Sequence, residues 1–389
     1  MKYLLTFLLI IAYASGCISD NSGPVPVPGA ERPEEYMKML EGLAVGIVAN
    51  QTSMVGETHL VENLLEKGVD VRVIFAPEHG YREFAADGAH IGDGTDVATG
   101  ISVRSLYGVR SKPEPGDLAE LDVVIYDIQD VGARFYTYIS TLHYVMEACA
   151  ENNVKCIIFD RPNPNGFYFD GNIADTAYRS FVAMHPVPVM HGMTIGEYAG
   201  MINGEKWLSG GLQCELAVVK CKNYNHQTLY ELPVKPSPNL PNMTAVYLYP
   251  SLCFFEGTNI SLGRGTPFPF QVYGSPLFPD EGFSFTPESV PASVSPPLLG
   301  VKCNGVDLRN TLEEKIVPSP AINLDWLTDA WTKYPDKDKF FNNYFDVLAA
   351  GPTLREQIQA GMSPAEIRDT WKEGLEKYRE TREKYLIYE

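Results

Sequence analysis

The sequence predicts an α/β fold: a parallel β-sheet covered on both faces by helices, followed by a smaller α+β domain. Four short β-branched runs carry the prediction: Leu43 to Val48 (LAVGIV), Val69 to Phe75 (VDVRVIF), Leu121 to Tyr126 (LDVVIY) and Val154 to Phe159 (VKCIIF). The segments His59 to Lys67 and Tyr136 to Glu151, which lie between them, carry helical patterning. Continuous apolar strands alternating with helices are buried on both faces, as in parallel sheets.

Each run also ends in a polar cluster. The first ends at Asn50-Gln51-Thr52 and the second at Pro77-Glu78-His79-Gly80. The third ends at Asp127-Ile128-Gln129-Asp130 and the fourth at Asp160-Arg161-Pro162-Asn163. Right-handed crossovers bring the carboxyl ends of all the strands to one edge, where open parallel sheets bind ligands. One polar tip alone reads as a turn or a helix cap; four on one edge define a site. No GxGxxG follows the first strand, and P-loop, GxSxG and HExxH patterns are absent from the sequence. What remains is a set of carboxylates, amides and arginines, the chemistry of sugar and polyol recognition.

In the second half, Met190 to Asn203 reads as a loop entering a helix, with Thr194 and Glu197 as a capping box, a reading that for Glu197 stands level with a functional one. Pro236-Ser237-Pro238-Asn239 and Glu256-Gly257-Thr258-Asn259 are turn-forming runs, and Gly263-Arg264-Gly265-Thr266 sets an arginine on a tight loop. Beyond about residue 270 the chain turns Pro- and Ser-rich and then mixed. Ser363-Pro364-Ala365-Glu366 starts a helix running to about Tyr385. The expected division is a signal at 1–16, a tether at 17–36, a catalytic domain at 37–245, and an auxiliary domain at 246–389 that contributes to the cleft.

The first residues read as an export signal: Lys2, then the apolar run Leu4 to Ala12, then the small residues Ala14-Ser15-Gly16 before Cys17. A permanent membrane span needs about 20 apolar residues, so this run is too short for one. Its form resembles a bacterial lipoprotein signal, with Cys17 as the acylated residue, although Ala14 stands where such signals usually have leucine. The expectation is an exported protein held in the cell envelope by a lipid anchor, facing the periplasm. A formal net charge of −18 argues against nucleic acid and against electrostatic adhesion to anionic lipid. An anionic substrate would need Arg or Lys gathered locally. The cysteines after Cys17 (Cys149, Cys156, Cys214, Cys221, Cys253 and Cys303) show no zinc-site spacing. Cys214–Cys221 is the nearest candidate disulfide, while Cys149 and Cys156 read as core residues of a helix and the strand after it.

Six stretches in order resemble a bacterial family of exo-β-N-acetylmuramidases (NamZ-type), long catalogued as a domain of unknown function. They are FAPEHGYR (75–82), DIQDVGARFYTYISTL (127–142), DRPNPNG (160–166), HGMTIGE (191–197), PSPNLP (236–241) and EGTNISLGRGTPFPF (256–270). The resemblance spans roughly residues 40 to 389. It implies a Rossmann-like catalytic domain, an auxiliary domain and a cleft between them. It also implies hydrolysis of the β-1,4 bond of a non-reducing terminal N-acetylmuramic acid, with Glu78 as the catalytic group and no cofactor.

Glu78 follows a buried strand behind Pro77, the environment that tunes a carboxyl for proton donation. Most glycosidases pair the acid with a second carboxylate, and Asp127, Asp130 and Glu256 are the candidates; the substrate's acetamido group is the other possible nucleophile. A fork of donors for the lactyl carboxylate would come from Arg134, Arg161 or Arg264, though Arg134 and Arg161 also read as internal salt bridges to Asp130 or Asp160. Asn50, His79, Tyr136, Asp160, Asn163, His191, Asn239 and Asn259 complete the expected substrate contacts, His191 reading more readily as a loop-ordering residue than as a catalyst. The expected partners are muramic-acid-containing glycan fragments. Two other readings stay open: a metal-dependent hydrolase using His79, His191 and the strand-tip aspartates, and a non-catalytic glycan-binding lipoprotein.

Overall fold

The computed structural model describes residues 24–82, 92–311 and 321–389. The signal and Cys17 lie outside the described residues. Among those described, no helix is long and apolar enough to cross a membrane.

Among the described residues, nine strands precede residue 220: β1 (Ala44–Ala49), β2 (Met54–Val55), β3 (Thr58–His59), β4 (Asp70–Ala76), β5 (Gly94–Thr95), β6 (Ser102–Ser105), β7 (Val123–Asp127), β8 (Lys155–Phe159) and β9 (Leu216–Val219). Seven form the central sheet in the order β5-β6-β4-β1-β7-β8-β9, and β2 and β3 form a small separate hairpin. All neighbours in the large sheet are parallel except β5 on β6. Pairing of Val48 with Phe75 and of Ala49 with Asp127 levels the carboxyl ends of β1, β4 and β7. The four predicted strands are therefore the four central ones, and the sheet is the expected α/β architecture.

Side-chain alternation divides the core in two. Val45, Ile47, Ile74, Ile125 and Phe159 face one layer, covered by α1 (Pro33–Leu40) and α2 (Leu60–Glu66). The ring of Tyr36 on α1 lies 4.3 Å from that of Phe159. Val48, Phe75, Val124, Tyr126 and Ile158 face the other layer. Beyond the short α3 (Pro115–Leu118), that layer is closed by α4 (Tyr138–Asn152) and α5 (Ile195–Gly204). Residues repeating every second position thus serve two helical layers, which is why the strands read as unbroken apolar runs.

The rest of the chain opens with α6 (Met243–Leu252) and a three-stranded antiparallel sheet of β10 (Val272–Ser275), β11 (Ser284–Phe285) and β12 (Cys303–Asp307). It then runs through α7 (Asp325–Lys333), α8 (Phe345–Leu348), α9 (Thr353–Gln359) and α10 (Pro364–Arg382). An aromatic seam joins the two parts. Phe135 meets Tyr249 and Phe254 edge-on at 5.5 and 5.6 Å, and Tyr249 meets Phe270 at 5.0 Å. The chain end returns to the first part: Tyr378 donates to the His191 carbonyl at 2.7 Å and Tyr388 to Asp160 at 2.6 Å. Both predicted capping boxes, Thr194/Glu197 and Ser363/Glu366, are formed.

Candidate active site

The site starts at the end of β4. Its apolar run stops at Ala76, and Pro77-Glu78-His79-Gly80 closes a β-turn through the Gly80 N–H and the Pro77 carbonyl at 3.0 Å. His79 (φ 69°) and Gly80 (φ 88°) are both left-handed. His79 stands at the third turn position, where a type II turn requires positive φ. Such backbone strain gathers at functional sites, where the surroundings must enforce it. Here the enforcement comes from below: Tyr81 bonds His59 Nδ1 at 3.2 Å, and Arg82 grips Asp96 at 2.7 and 2.9 Å. His59 Nδ1 also accepts from Val61, so its Nε2–H donates to the Asn50 carbonyl at 2.9 Å and ties the β1 tip to the β4 tip.

Glu78 is half-buried, and Thr137, the residue before α4, donates its hydroxyl to Glu78 Oε2 at 2.6 Å. Tyr138 accepts from Asn50 Nδ2 at 3.0 Å, and its hydroxyl lies 3.5 Å from the Glu78 carbonyl, at the edge of hydrogen bonding. Burial and the charge of Glu78 raise the Tyr138 pKa, so its phenol stays protonated. Glu78 and His79 form one wall of a cavity of about 380 Å³. Glu256 and Arg264 stand in its wall from the second part of the chain, with Tyr136, Tyr138, Tyr249, Phe270 and Tyr344 around them. Arg264 donates Nε to Glu256 Oε1 at 2.7 Å, with a second bond from Nη2, and its guanidinium lies 5.0 Å from the centre of the Phe270 ring. Gly263 and Gly265 on either side are left-handed, and a Cβ on Gly265 would sit 2.5 Å from the Glu288 carbonyl oxygen. Glycine is therefore required for Arg264 to be presented on so tight a loop.

Two family models cover almost all of the chain: "Exo-beta-N-acetylmuramidase NamZ, N-terminal" over residues 45–244 and "Exo-beta-N-acetylmuramidase NamZ, C-terminal" over 247–388. The chain belongs to the NamZ exo-β-N-acetylmuramidase family. It is 36% identical over 373 residues to the peptidoglycan beta-N-acetylmuramidase NamZ of Bacillus subtilis (strain 168), covering 91% of this chain and 89% of that protein. Among solved structures, it resembles a DUF1343 family protein from Bacteroides fragilis NCTC 9343 at 45% identity and a TM-score of 0.88. A second DUF1343 family protein from the same organism matches at 29% identity and a TM-score of 0.82. Each match covers 94% of this chain and 99% of the other.

The NamZ-family cavity gathers Glu78, Glu256, His79, Tyr136 and Arg264 of the residues named from the sequence. Asn50 reaches it through Tyr138, and Asn259 lines an adjoining cavity. The others lie elsewhere. Asp127 is fully buried and receives both Nε and Nη2 of Arg161, at 2.6 and 2.8 Å. Arg161 thus forms an internal ion pair, but with Asp127 in place of the expected Asp130 or Asp160. Asp130 accepts from the Gly132 N–H at 2.6 Å and faces His191 Nε2 at 3.3 Å, and both are buried away from the cavity. His191 is thereby a loop-ordering residue. Among the described residues no His/Cys/Asp/Glu group of three could hold a metal, so the metal-dependent reading finds no ligand set there.

Arg134 is the plainest correction. It has no exposure, and its guanidinium donates to the carbonyls of Asn172, Val187 and Leu348 at 2.8, 3.0 and 3.1 Å. Burial lowers its pKa to about 10. It stitches the two parts of the chain together rather than facing substrate, and it pairs with neither Asp130 nor Asp160. Asp160 caps α5, accepting from Thr194, Gly196 and Tyr388. Asn163 and Asn239 donate to the backbone carbonyls of Met193 and Ala292. All six cysteines after Cys17 are buried thiols. Cys214 lies against Cys149 and Cys156, whereas Cys221 donates to the Asp160 carbonyl at 3.2 Å, so the Cys214–Cys221 pairing is not formed. Sequence reasoning missed Thr137, Tyr138, Tyr249 and Tyr344. The first two stood in the RFYTY stretch beside Arg134; the last two carried no local signal.

Proposed function

We propose that this chain is an exo-β-N-acetylmuramidase that hydrolyses the β-1,4 bond of non-reducing terminal N-acetylmuramic acid in peptidoglycan fragments. The observation that carries the reading is one cavity holding Glu78 from a strand tip and Glu256–Arg264 from the second part of the chain. Family membership and the name of the Bacillus relative support the reaction class. At about 380 Å³ the cavity suits a ligand the size of one sugar ring, as removal of a terminal residue requires. Its tyrosines offer flat apolar faces with polar tips, which suits a sugar ring.

In this mechanism Glu78 is the general acid. Thr137 holds its Oε2, so the other oxygen delivers the proton to the glycosidic oxygen as the C1–O bond breaks. The leaving sugar departs with that proton as its hydroxyl, and water ends on C1. Glu256 is the cavity's second carboxylate, which either attacks C1 or orients the acetamido group that does. Arg264, steadied by Glu256, supplies the positive charge for the lactyl carboxylate against a net charge of −18. The test is incubation with para-nitrophenyl β-muramide and with a disaccharide that begins in muramic acid. Release of muramic acid from both is expected, with glucosaminides turned over far more slowly. Absence of release from either substrate would overturn the reading, and equal rates on both sugars would remove Arg264 from it.

The proposed cellular setting is the cell envelope, with lipidated Cys17 as the first residue of the mature chain. Support comes from the apolar run and small residues before it. Mass spectrometry of the native N-terminus decides this point, and an unmodified start elsewhere refutes the anchor.

A further inference from the structure

We infer that His59, which stands outside the cavity wall, is a positioning residue that aims the Glu78 carboxyl through a closed hydrogen-bonded circuit. The inference rests on the muramidase reading above, with Glu78 as its general acid. His59 ends β3 and caps α2, and its imidazole bonds three separate elements. Nε2–H donates to the Asn50 carbonyl, at the β1 tip, at 2.9 Å. Nδ1 accepts from the Val61 N–H of α2 at 3.3 Å and from the Tyr81 hydroxyl, just past the Glu78 turn, at 3.2 Å. From Asn50 the path returns: its Nδ2 donates at 3.0 Å to the Tyr138 hydroxyl, which lies 3.5 Å from the Glu78 carbonyl. Fixing Tyr138 also fixes its neighbour Thr137, whose hydroxyl holds Glu78 Oε2 at 2.6 Å. The circuit thus grips Glu78 from two sides: through Tyr81, behind the left-handed His79 and Gly80, and through Thr137 at the carboxylate.

Histidine suits this post because the side chain must donate on one edge and accept on the other. Only the neutral imidazole with its proton on Nε2 does both. A protonated ring would set a third N–H on Nδ1 against the two donors already there. Burial, aided by Arg82, lowers the His59 pKa from 6.5 and outweighs the Asn50 carbonyl, Asp127 and Glu62, which act in the opposite direction. The ring is therefore neutral near neutrality. Burial also raises the Tyr81 pKa, which keeps the proton on the hydroxyl that donates. All four side chains of the circuit (His59, Tyr81, Asn50 and Tyr138) are buried, so water offers no substitute partner. Of these, only Tyr138 lines the cavity; the other three act on substrate through Glu78 alone. A misplacement of about 1 Å at a reacting group can cost ~10²-fold in rate.

Tyr81→Phe is the first variant, because it removes one hydroxyl and keeps the ring that packs edge-on to His59 at 4.9 Å. Its kcat on a disaccharide beginning in muramic acid should fall about tenfold at nearly unchanged KM. The chromogenic para-nitrophenyl β-muramide, whose leaving group needs little protonation, should lose far less. A role in stability alone would slow both substrates alike. His59→Ala should widen the same gap to about 10²-fold. His59→Gln, with an acceptor and a donor of its own, should restore part of it. In a Glu78→Gln background Tyr81→Phe should cost no further rate on the disaccharide, because the proton that it aims is gone. Melting temperatures show which variants fold; if His59→Ala does not, the Tyr81 comparison decides alone. Equal slowing of both substrates, unchanged disaccharide turnover in Tyr81→Phe, or a further loss on top of Glu78→Gln overturns the inference. A parent that turns over neither substrate overturns the muramidase reading and this inference with it. An active parent with indifferent variants overturns this inference alone.

Discussion

The tips of β4 and β7 look alike as sequence: an apolar strand, then a carboxylate, then polar residues. In the fold they have opposite fates. At β7 the carboxylate of Asp127 is closed off by both nitrogens of the Arg161 fork and has no exposure. At β4 the carboxylate of Glu78 has a neutral hydroxyl partner, Thr137, and opens into a cavity. The difference lies in what the neighbouring tip supplies. The β8 tip, adjacent to β7, contributes an arginine, whereas on β4 the nearest contributions are amides and phenols. A strand-tip carboxylate remains available for chemistry only where no cation arrives to satisfy it.

Substituting each carboxylate tests this contrast. Glu78→Gln keeps shape and size but removes the transferable proton, so turnover of a natural disaccharide should fall by about 10²–10⁴-fold. Melting temperature and substrate binding should change little, and a muramide with a very good leaving group should suffer less. Near-normal turnover would make Glu78 structural and leave Glu256 as the cavity's carboxylate. Asp127→Ala should do the reverse. It strands a buried Arg161 and should cost about 3–5 kcal/mol of stability in urea unfolding, while the folded fraction keeps its kcat. A loss below about 1 kcal/mol would show that Arg161 finds another acceptor, such as the Met54 carbonyl already at 3.0 Å.

The same contrast shows how far the sequence could be read. The four central strands appear within two residues of their expected bounds because both of their faces are buried, which makes the apolar runs continuous. β6 went unseen: Ser102-Val103-Arg104-Ser105 carries a single apolar residue and sits next to the sheet edge. Within the site, the position of Glu78 was legible from strand, proline and turn. The fate of each arginine was not. Arg134 stands four residues from Asp130, yet it donates to carbonyls 38, 53 and 214 residues away. Such partners are set by tertiary packing and leave no local pattern. Arg264 was readable because two left-handed glycines hold it on a loop.

A smaller effect sharpens the picture at Glu78 itself. Thr137→Val removes the donor to Oε2 while conserving volume. A hydrogen bond to a charged group is worth about 1.5–3 kcal/mol, and kcat should drop by roughly 10–100-fold if that orientation is needed in the transition state. Thr137→Ser, which keeps the hydroxyl, should restore most of the rate. Equal loss in both variants would trace the effect to packing at the start of α4 instead.

The smallest expected effect concerns the third tip. Asp160, at the end of β8, is fully buried, and among the described residues no cation sits on its carboxylate. Burial raises its pKa from 3.8 to about 6, despite hydrogen bonds from Tyr388, Thr194 and Gly196 that act in the opposite direction. The folded protein therefore binds this proton more tightly than the unfolded chain. Its contribution to stability is complete below pH 3.8 and is lost as pH rises through about 6. Between pH 7 and pH 5 this one group should add about 1 kcal/mol of stability. Ion-paired carboxylates such as Asp96 and Glu147, whose pKa values are lowered, oppose that trend, so the measurement is a difference. Urea unfolding of parent and Asp160→Asn across this range isolates the group. The variant loses acceptors and should be less stable throughout, but its gain on acidification should be smaller than the parent's by about that amount. Parallel pH profiles would mean that the three donors keep Asp160 ionised even in its buried site. The β8 tip would then be satisfied like that of β7, by neutral hydrogen-bond donors in place of an arginine.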